Sequence, residues 1–366
     1  MVILAAGLSK RMGVFKPLLP VGDGPAVLRC ISIARSAGAN EIIVVTGHCR
    51  EEIDGAIRDK APDVRLAHNS GYANGMFSSV CEGVSGLTFE YDGFFLLPSD
   101  CCAVSTDTLV QLIGELERTG KSFVIRPKFG TGPRGHPPLI PARFIGEILA
   151  HDGEDGLKGI LRKLPTVEIE IPDPGLCLDM DTPEDYAELL SYCGFPAYPE
   201  PARSLEILAG CGTPPDVLAH GRHVAALALK IANLMMRRHS PALNLALLES
   251  VCLLHDIKRA EPDHAQAGKV FLLKMGYPVA ATIVGKHMDL DNPITDITES
   301  ELLYLADKLC RRGKLVRLED SMKDLSLRFS SDHEAFETAE RRMGAAQTIL
   351  EILTGRYGIS IDNIFD

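Results

Sequence analysis

The chain has 366 residues, 46% of them hydrophobic, and a formal net charge of -11. That length accommodates two ordinary domains, and that apolar content excludes wholesale disorder. The acidity argues against a nucleic-acid scaffold, since phosphate backbones are repelled at long range, yet a local cluster of Lys and Arg can still hold one small nucleotide.

The ten cysteines are scattered, with one adjacent pair, Cys101-Cys102, and no C-x-x-C spacing. This usage fits reduced thiols in a cytoplasmic protein better than a disulfide framework or a cysteine zinc site. No apolar run reaches the length of a membrane span, and the opening MVILAAGLSKRMG turns polar too soon for a signal peptide.

In chain order, Val2 to Ala5 reads as a strand running into a Gly-rich loop. Pro25 to Ala37 reads as a helix, with Leu28, Ile31 and Ala34 on one face and Gly38 after its end. Glu41 to Thr46 predicts a buried strand, Glu51 to Lys60 a helix and Val64 to Ala67 an extended segment. Gly75 to Val84 predicts a helix, Gly93 to Leu97 a buried strand, Thr106 to Thr119 a helix and Ser122 to Arg126 a strand. This alternation predicts a mostly parallel sheet with helices on both sides, whose ligands bind at the carboxyl ends of the strands. Residues 194–203, GFPAYPEPAR, read as a linker rich in Pro and aromatics. From Ser204 onward the pattern is helical, with no convincing strand, so two domains of different class are expected at 1–193 and 204–366.

The densest chemical signal is LAAGLSKRMGVFKPLLP, Leu4 to Pro20. Backbone amides of a Gly-rich turn surround phosphate oxygens, and Lys10, Arg11 and Lys16 supply neutralising charge. The spacing is neither a Walker A loop nor a dinucleotide G-x-G-x-x-G, and an ordinary basic strand-to-helix turn is the plain alternative. The run resembles the signature L-A-[AG]-G-x-S-x-R-M-G-x-x-K of the molybdenum-cofactor type nucleotidyltransferases, in particular the cytidylyltransferases. Five further segments follow in the same order: Asn69 to Tyr72 with Gly75, Met76, Ser78 and Ser79; Leu96 to Asp100; Arg134 to Pro141; Asp155 to Lys158; and Asp179 to Tyr186.

The resemblance implies a Rossmann-like α/β domain that uses Mg²⁺ and an NTP and releases pyrophosphate. It places Leu4, Ala5, Ala6, Gly7, Ser9, Arg11, Lys16, Asn74 and Ser79 around the nucleotide. Arg11 and Lys16 would serve the β- and γ-phosphates. Asp100, with Asp181 or Asp179, would hold the Mg²⁺. Gly135, His136 and Pro137 would face the acceptor, and Ala6 points to CTP. Asp181-Thr182-Pro183-Glu184-Asp185 also suits a helix start, with a cap and acids near the positive end of the dipole. Cys101 and Cys102 stand where relatives carry Gln-Pro or Met-Pro. They suit either a thiol contact to an acceptor or a pair of structural thiols.

The C-terminal part carries His220 on a helix with Val224, Leu227 and Ile231, His255-Asp256 ending another, and Asp307 on a later one. Imidazole and carboxylate together suit Mn, Fe, Zn, Ni or Co. The order H…HD…D resembles the HD superfamily of metal-dependent phosphohydrolases. That likeness implies an all-α domain, a metal held by His220, His255, Asp256 and Asp307, and a second metal at His264 and His287. Lys258 and Arg259 follow the pair, and Arg259 is a candidate phosphate contact. His223 and His239 read as surface residues, and Ala335 to Leu353 as a packing or dimer helix.

The expectation is transfer of CMP from CTP to molybdopterin cofactor or a similar phosphorylated acceptor, fused to an HD hydrolase. A sugar- or alditol-phosphate nucleotidyltransferase and a cofactor-binding chaperone with little turnover are the alternatives. The partners expected are a nucleotide, a small acceptor and a molybdenum enzyme receiving the cofactor, with a homodimer possible and neither nucleic acid nor membrane.

Overall fold

The computed structural model describes residues 1–87, 90–132, 135–239, 241–291, 293–311, 313–328 and 333–365. Arg134, part of the expected acceptor segment, lies outside the described residues. The chain divides into two compact units, Met1–Phe195 with Lys274–Gly276, and Pro196–Leu273 with Tyr277–Asp366.

The first unit is built on strands β1 (Val2–Leu4), β2 (Ile43–Thr46), β3 (Arg65–His68), β4 (Gly93–Pro98), β5 (Val124–Lys128), β6 (Leu139–Pro141) and β7 (Thr166–Glu170). Their order across the sheet is β3-β2-β1-β4-β6-β5-β7. The first four run parallel, β6 is antiparallel to β4 and β5, and β5 and β7 run parallel. The central β1 and β2 are buried along their whole length, which is why VIL and IVVT read as continuous apolar runs rather than alternating ones. Each such Val, Ile or Leu contributes about 1.5–3 kcal/mol by leaving water. β6 and β7 were absent from the sequence reading. β6 is three residues long, and β7 is a half-exposed edge strand whose pattern, TVEIE, carries few apolar positions.

The helices are α1 (Ala26–Ser36), α2 (Arg50–Lys60), α3 (Met76–Ser85), α4 (Thr106–Arg118), α5 (Ile145–Ala150), α6 (Gly156–Lys163) and α7 (Pro183–Tyr192). α3 lies close on the sheet because Gly83 has no side chain: a Cβ there would sit 2.4 Å from Val2 Cγ1 and 2.8 Å from Val45 Cγ2.

The second unit consists mainly of helices: α8 (Pro201–Gly210), α9 (Pro215–Arg238), α10 (Leu245–Leu254), α11 (His264–Lys274), α12 (Pro278–Lys286) and α13 (Glu299–Leu309), then α14 (Leu318–Arg328), α15 (His333–Tyr357) and α16 (Ile361–Phe365). Two features correct the sequence reading. A two-stranded pair, β8 (Cys310–Arg311) and β9 (Lys314–Leu315), interrupts the helices, with Gly313 in its turn at φ +73°. Residues 201–203, read as linker, are the first turn of α8, where Pro201 is pre-set for a helix start.

His223 and His239 are exposed, as expected. Among the described residues no helix is long and apolar enough to cross a membrane.

Candidate functional site

The loop after β1 folds back on itself. Ser9 takes a left-handed conformation (φ 50°), and its hydroxyl accepts a hydrogen bond of 3.0 Å from the Lys16 amide. Its carbonyl accepts another from Gly13, 3.2 Å away. These bonds set the direction of Lys16, whose side chain is only 12% exposed. The Lys16 ammonium lies 2.6 Å from Asp100 Oδ2 and 2.7 Å from Asp181 Oδ1, so three distant stretches of sequence converge on one nitrogen. Arg11 Nη2 approaches the other Asp181 oxygen at 2.5 Å.

Asp100 arrives just past β4 and Asp181 just before α7. The capping residue of α7 is Thr182, in a reciprocal box with Asp185, and Asp181 takes no part in it. Its carboxylate is therefore free of the cap and meets Lys16 and Arg11 instead.

The electrostatics follow from this crowding. Burial pushes the Asp181 carboxyl up, but Lys16 and Arg11 outweigh it and hold it below the ordinary value. Burial pulls the Lys16 ammonium down, and Asp100 with Asp181 more than restores it. Among the described residues no ion pair is seen at Asp179. Burial, then the charges of Asp181 and Asp100, raise its carboxyl above the usual range. Carboxylates are the hard oxygen donors that Mg²⁺ prefers, and Asp100 and Asp181 meet here at the Lys16 ammonium.

A cavity of about 380 Å³ opens beside these groups. Of the expected nucleotide residues, Leu4, Ala5, Ala6, Gly7, Ser9, Arg11, Lys16 and Ser79 line it. Asn74 does not: it is exposed in a short turn outside the wall, while its neighbours Tyr72, Ala73, Gly75 and Met76 line the cavity. Ser79 is buried, and its hydroxyl accepts a bond of 2.9 Å from the amide of Asn69, which also reaches Ser78 at 2.8 Å. Asn69 thus organises this wall.

Gly135 packs under Leu176, and His136 and Pro137 follow it, joined by a cis peptide bond. None of the three lines this cavity. The His136 Nδ1 atom is buried without a partner, and burial lowers its imidazole against the opposing pull of Asp100. Cys101 and Cys102 are buried, and burial drives the Cys101 thiol well up and the Cys102 thiol to about 12. That chemistry is of inert, structural thiols.

Residues 1–168 match the model of the MobA-like NTP transferase domain. The N-terminal half of the chain is therefore a MobA-like NTP transferase domain. It is similar to the molybdenum cofactor cytidylyltransferase of Escherichia coli K12, with 28% identity over 185 residues, which covers 50% of this chain and 92% of that protein. It is also similar to the bifunctional protein GlmU of Geobacter sulfurreducens, 29% identical over 155 residues; the match takes in 40% of this chain and only 31% of that protein. The crystal structure of Rv0371c from Mycobacterium tuberculosis aligns at a TM-score of 0.45 and 25% identity, covering 52% of this chain and 96% of that one. In this domain the loop after β1 carries the cationic side chains, with Lys16 between Asp100 and Asp181.

The second unit holds another constellation. His220 comes from α9, His255 and Asp256 from the end of α10, His264 from the start of α11, His287 from the end of α12, and Asp307 from α13. They sort into two triads, His220-His255-Asp307 and Asp256-His264-His287, each with ligand atoms within 4.8 Å of one another. Asp256 thereby joins the two further histidines, although the sequence had grouped it with the first set.

Backbone carbonyls fix the rings. His255 Nδ1 donates to the Cys252 carbonyl at 2.8 Å and His287 Nδ1 to that of Val284 at 2.7 Å, so each Nε2 lone pair points into the cluster. His255 Nε2 is buried without a hydrogen-bond partner. This buried nitrogen, 3.6 Å from both Asp256 Oδ2 and Asp307 Oδ1 and close to three more histidines, suits a divalent transition metal. Burial and the neighbouring His255 lower the His287 imidazole to about 3, which keeps it in the neutral form that a metal requires.

Proposed function

We propose that the transferase domain moves a nucleoside monophosphate, CMP from CTP, onto a phosphorylated acceptor of the molybdopterin cofactor kind, with release of pyrophosphate. The observation that supports this reading above others is the Lys16 ammonium held between Asp100 and Asp181 at the exit of β1. Mg²⁺ at Asp100 with Asp181 or Asp179 would neutralise the triphosphate as charge builds on its oxygens. Lys16 and Arg11 then exchange their carboxylate partners for phosphate oxygens, and the loop amides around Gly7 add further donors. The likeness to a molybdenum cofactor cytidylyltransferase favours the pterin acceptor and CTP. The partners in this reading are a nucleotide, a small acceptor and a molybdenum enzyme that receives the product, in the cytoplasm.

The second unit is, in the same proposal, an HD-type metal-dependent phosphohydrolase. The paired triads, with the buried His255 Nε2 facing Asp256 and Asp307, support it. His220, His255, Asp256, His264, His287 and Asp307 would hold the metal, which lowers the pKa of bound water enough for ester hydrolysis. Arg259, 3.4 Å from Asp256 Oδ1, would meet a substrate phosphate in this reading.

Pyrophosphate release across the four NTPs, with and without molybdopterin, tests the first part. Release should require acceptor, be fastest with CTP and vanish in Asp100→Ala. Acceptor-dependent release with a sugar phosphate and none with molybdopterin would overturn the acceptor assignment.

A further inference from the structure

Beside the six-residue cluster of the second unit lies a cavity of about 770 Å³, far larger than one phosphate group requires. Its wall carries three carboxylates, Asp216, Asp256 and Asp307, and three cationic side chains, Arg259, Lys308 and Arg311. Two of the cations are engaged within the cluster: Lys308 Nζ lies 2.7 Å from Asp307 Oδ2, and Arg259 lies 3.4 Å from Asp256. The formal charges of these six groups cancel, and Asp324, the ion-pair partner of Arg311, adds one negative charge. Two divalent ions held by the cluster would then leave most of their positive charge for the ligand to balance. A monoanionic phosphodiester compensates little of it, whereas a diphosphate compensates most.

Arg311 is presented by a separate device. It sits on β8, paired with Lys314 across the turn, and the backbone of Gly313 packs against α9, where a Cβ would lie 3.3 Å from His223 Cε1. Its guanidinium is 44% exposed and its partner is Asp324, at 2.5 Å, itself 60% exposed. A solvated pair of this kind is worth little and yields readily to a phosphate. On the same cavity wall, Val217, Met288 and Met343 offer an apolar surface to an organic group.

We infer that the β8–β9 hairpin forms a second phosphate subsite through Arg311, and that the second unit takes an organic diphosphate rather than a simple phosphodiester. This rests on the HD reading of the cluster. One phosphate sits at the metal-holding triads, the next is received by Arg311, and the organic group lies along Val217 and the two methionines.

The test is titration calorimetry of the manganese-loaded full chain, with metal content measured in parallel. The probes are methylenediphosphonate, which cannot be hydrolysed at its bridge, and orthophosphate. The diphosphonate should bind about tenfold tighter than orthophosphate, as one added charge-assisted contact provides. Arg311→Gln should remove that advantage with orthophosphate affinity and metal content unmoved, and Arg311→Lys should restore part of it. Because the comparison turns on Arg311, binding at the NTP loop of the other unit cancels out. Retained metal with equal affinity for the two probes, or an advantage indifferent to Arg311→Gln, overturns this inference alone. Failure of the wild-type chain to retain metal, or indifference of metal content to His255→Ala, overturns the HD reading beneath it.

Discussion

Lys16 holds together a site whose parts come from positions 16, 100 and 181, and its own direction depends on Ser9. Lys16→Met should therefore do two kinds of damage: it removes a phosphate partner and leaves Asp100 and Asp181 repelling each other. The expected loss in kcat/KM is about a hundredfold or more, read from pyrophosphate release. Asp173 shows a purely structural use of a carboxylate. It is 5% exposed and accepts from the Ser105 amide, the Thr108 hydroxyl, the Gly175 amide and the Tyr192 hydroxyl. Burial pushes its carboxyl up, but these donors prevail and hold it below the ordinary value of 3.8. The folded state thus binds the proton less tightly than the unfolded chain. The stabilisation is complete above about pH 4 and is lost as pH falls through the lower folded value. Asp173→Ala should cost about 3 kcal/mol at neutral pH, from the unsatisfied donors, and should flatten the acid limb of a urea-denaturation series.

Helix packing sets the second cluster. Gly221, next to His220 on α9, faces the end of α10 so closely that a Cβ would lie 3.0 Å from the Leu253 carbonyl oxygen. A side chain there pushes the two helices apart and draws His220 away from His255. Gly221→Val should lower stability by about 1–3 kcal/mol and weaken metal retention at the same time. A fall in thermal midpoint with unchanged metal content would show that the close approach serves packing alone. The helices themselves were legible, since α9 places Val224, Leu227 and Ile231 on a buried face. The β8–β9 pair was not, because two-residue strands carry no periodicity that a window can detect.

At the scale of the molecule, the residues proposed for the two centres fall in different units of the chain. Asp100→Ala should abolish pyrophosphate release while transition metal stays bound. His255→Ala should release that metal while NTP chemistry continues. Loss of both properties in either variant would contradict independent centres. Local sequence was sufficient for the Gly-rich loop after β1, the apolar strands and the helices around His220, His255, Asp256 and Asp307, because Gly spacing and burial periodicity are properties of neighbouring residues. Other facts depended on the folded chain: that Thr182 caps α7 and frees Asp181, that Asn69 rather than Asn74 organises the cavity wall, and that Asp256 faces His264 and His287. Each of these is a choice between partners far apart in sequence, and such a choice is made by three-dimensional packing, where only one of the competing hydrogen bonds or ligand sets can be satisfied at once.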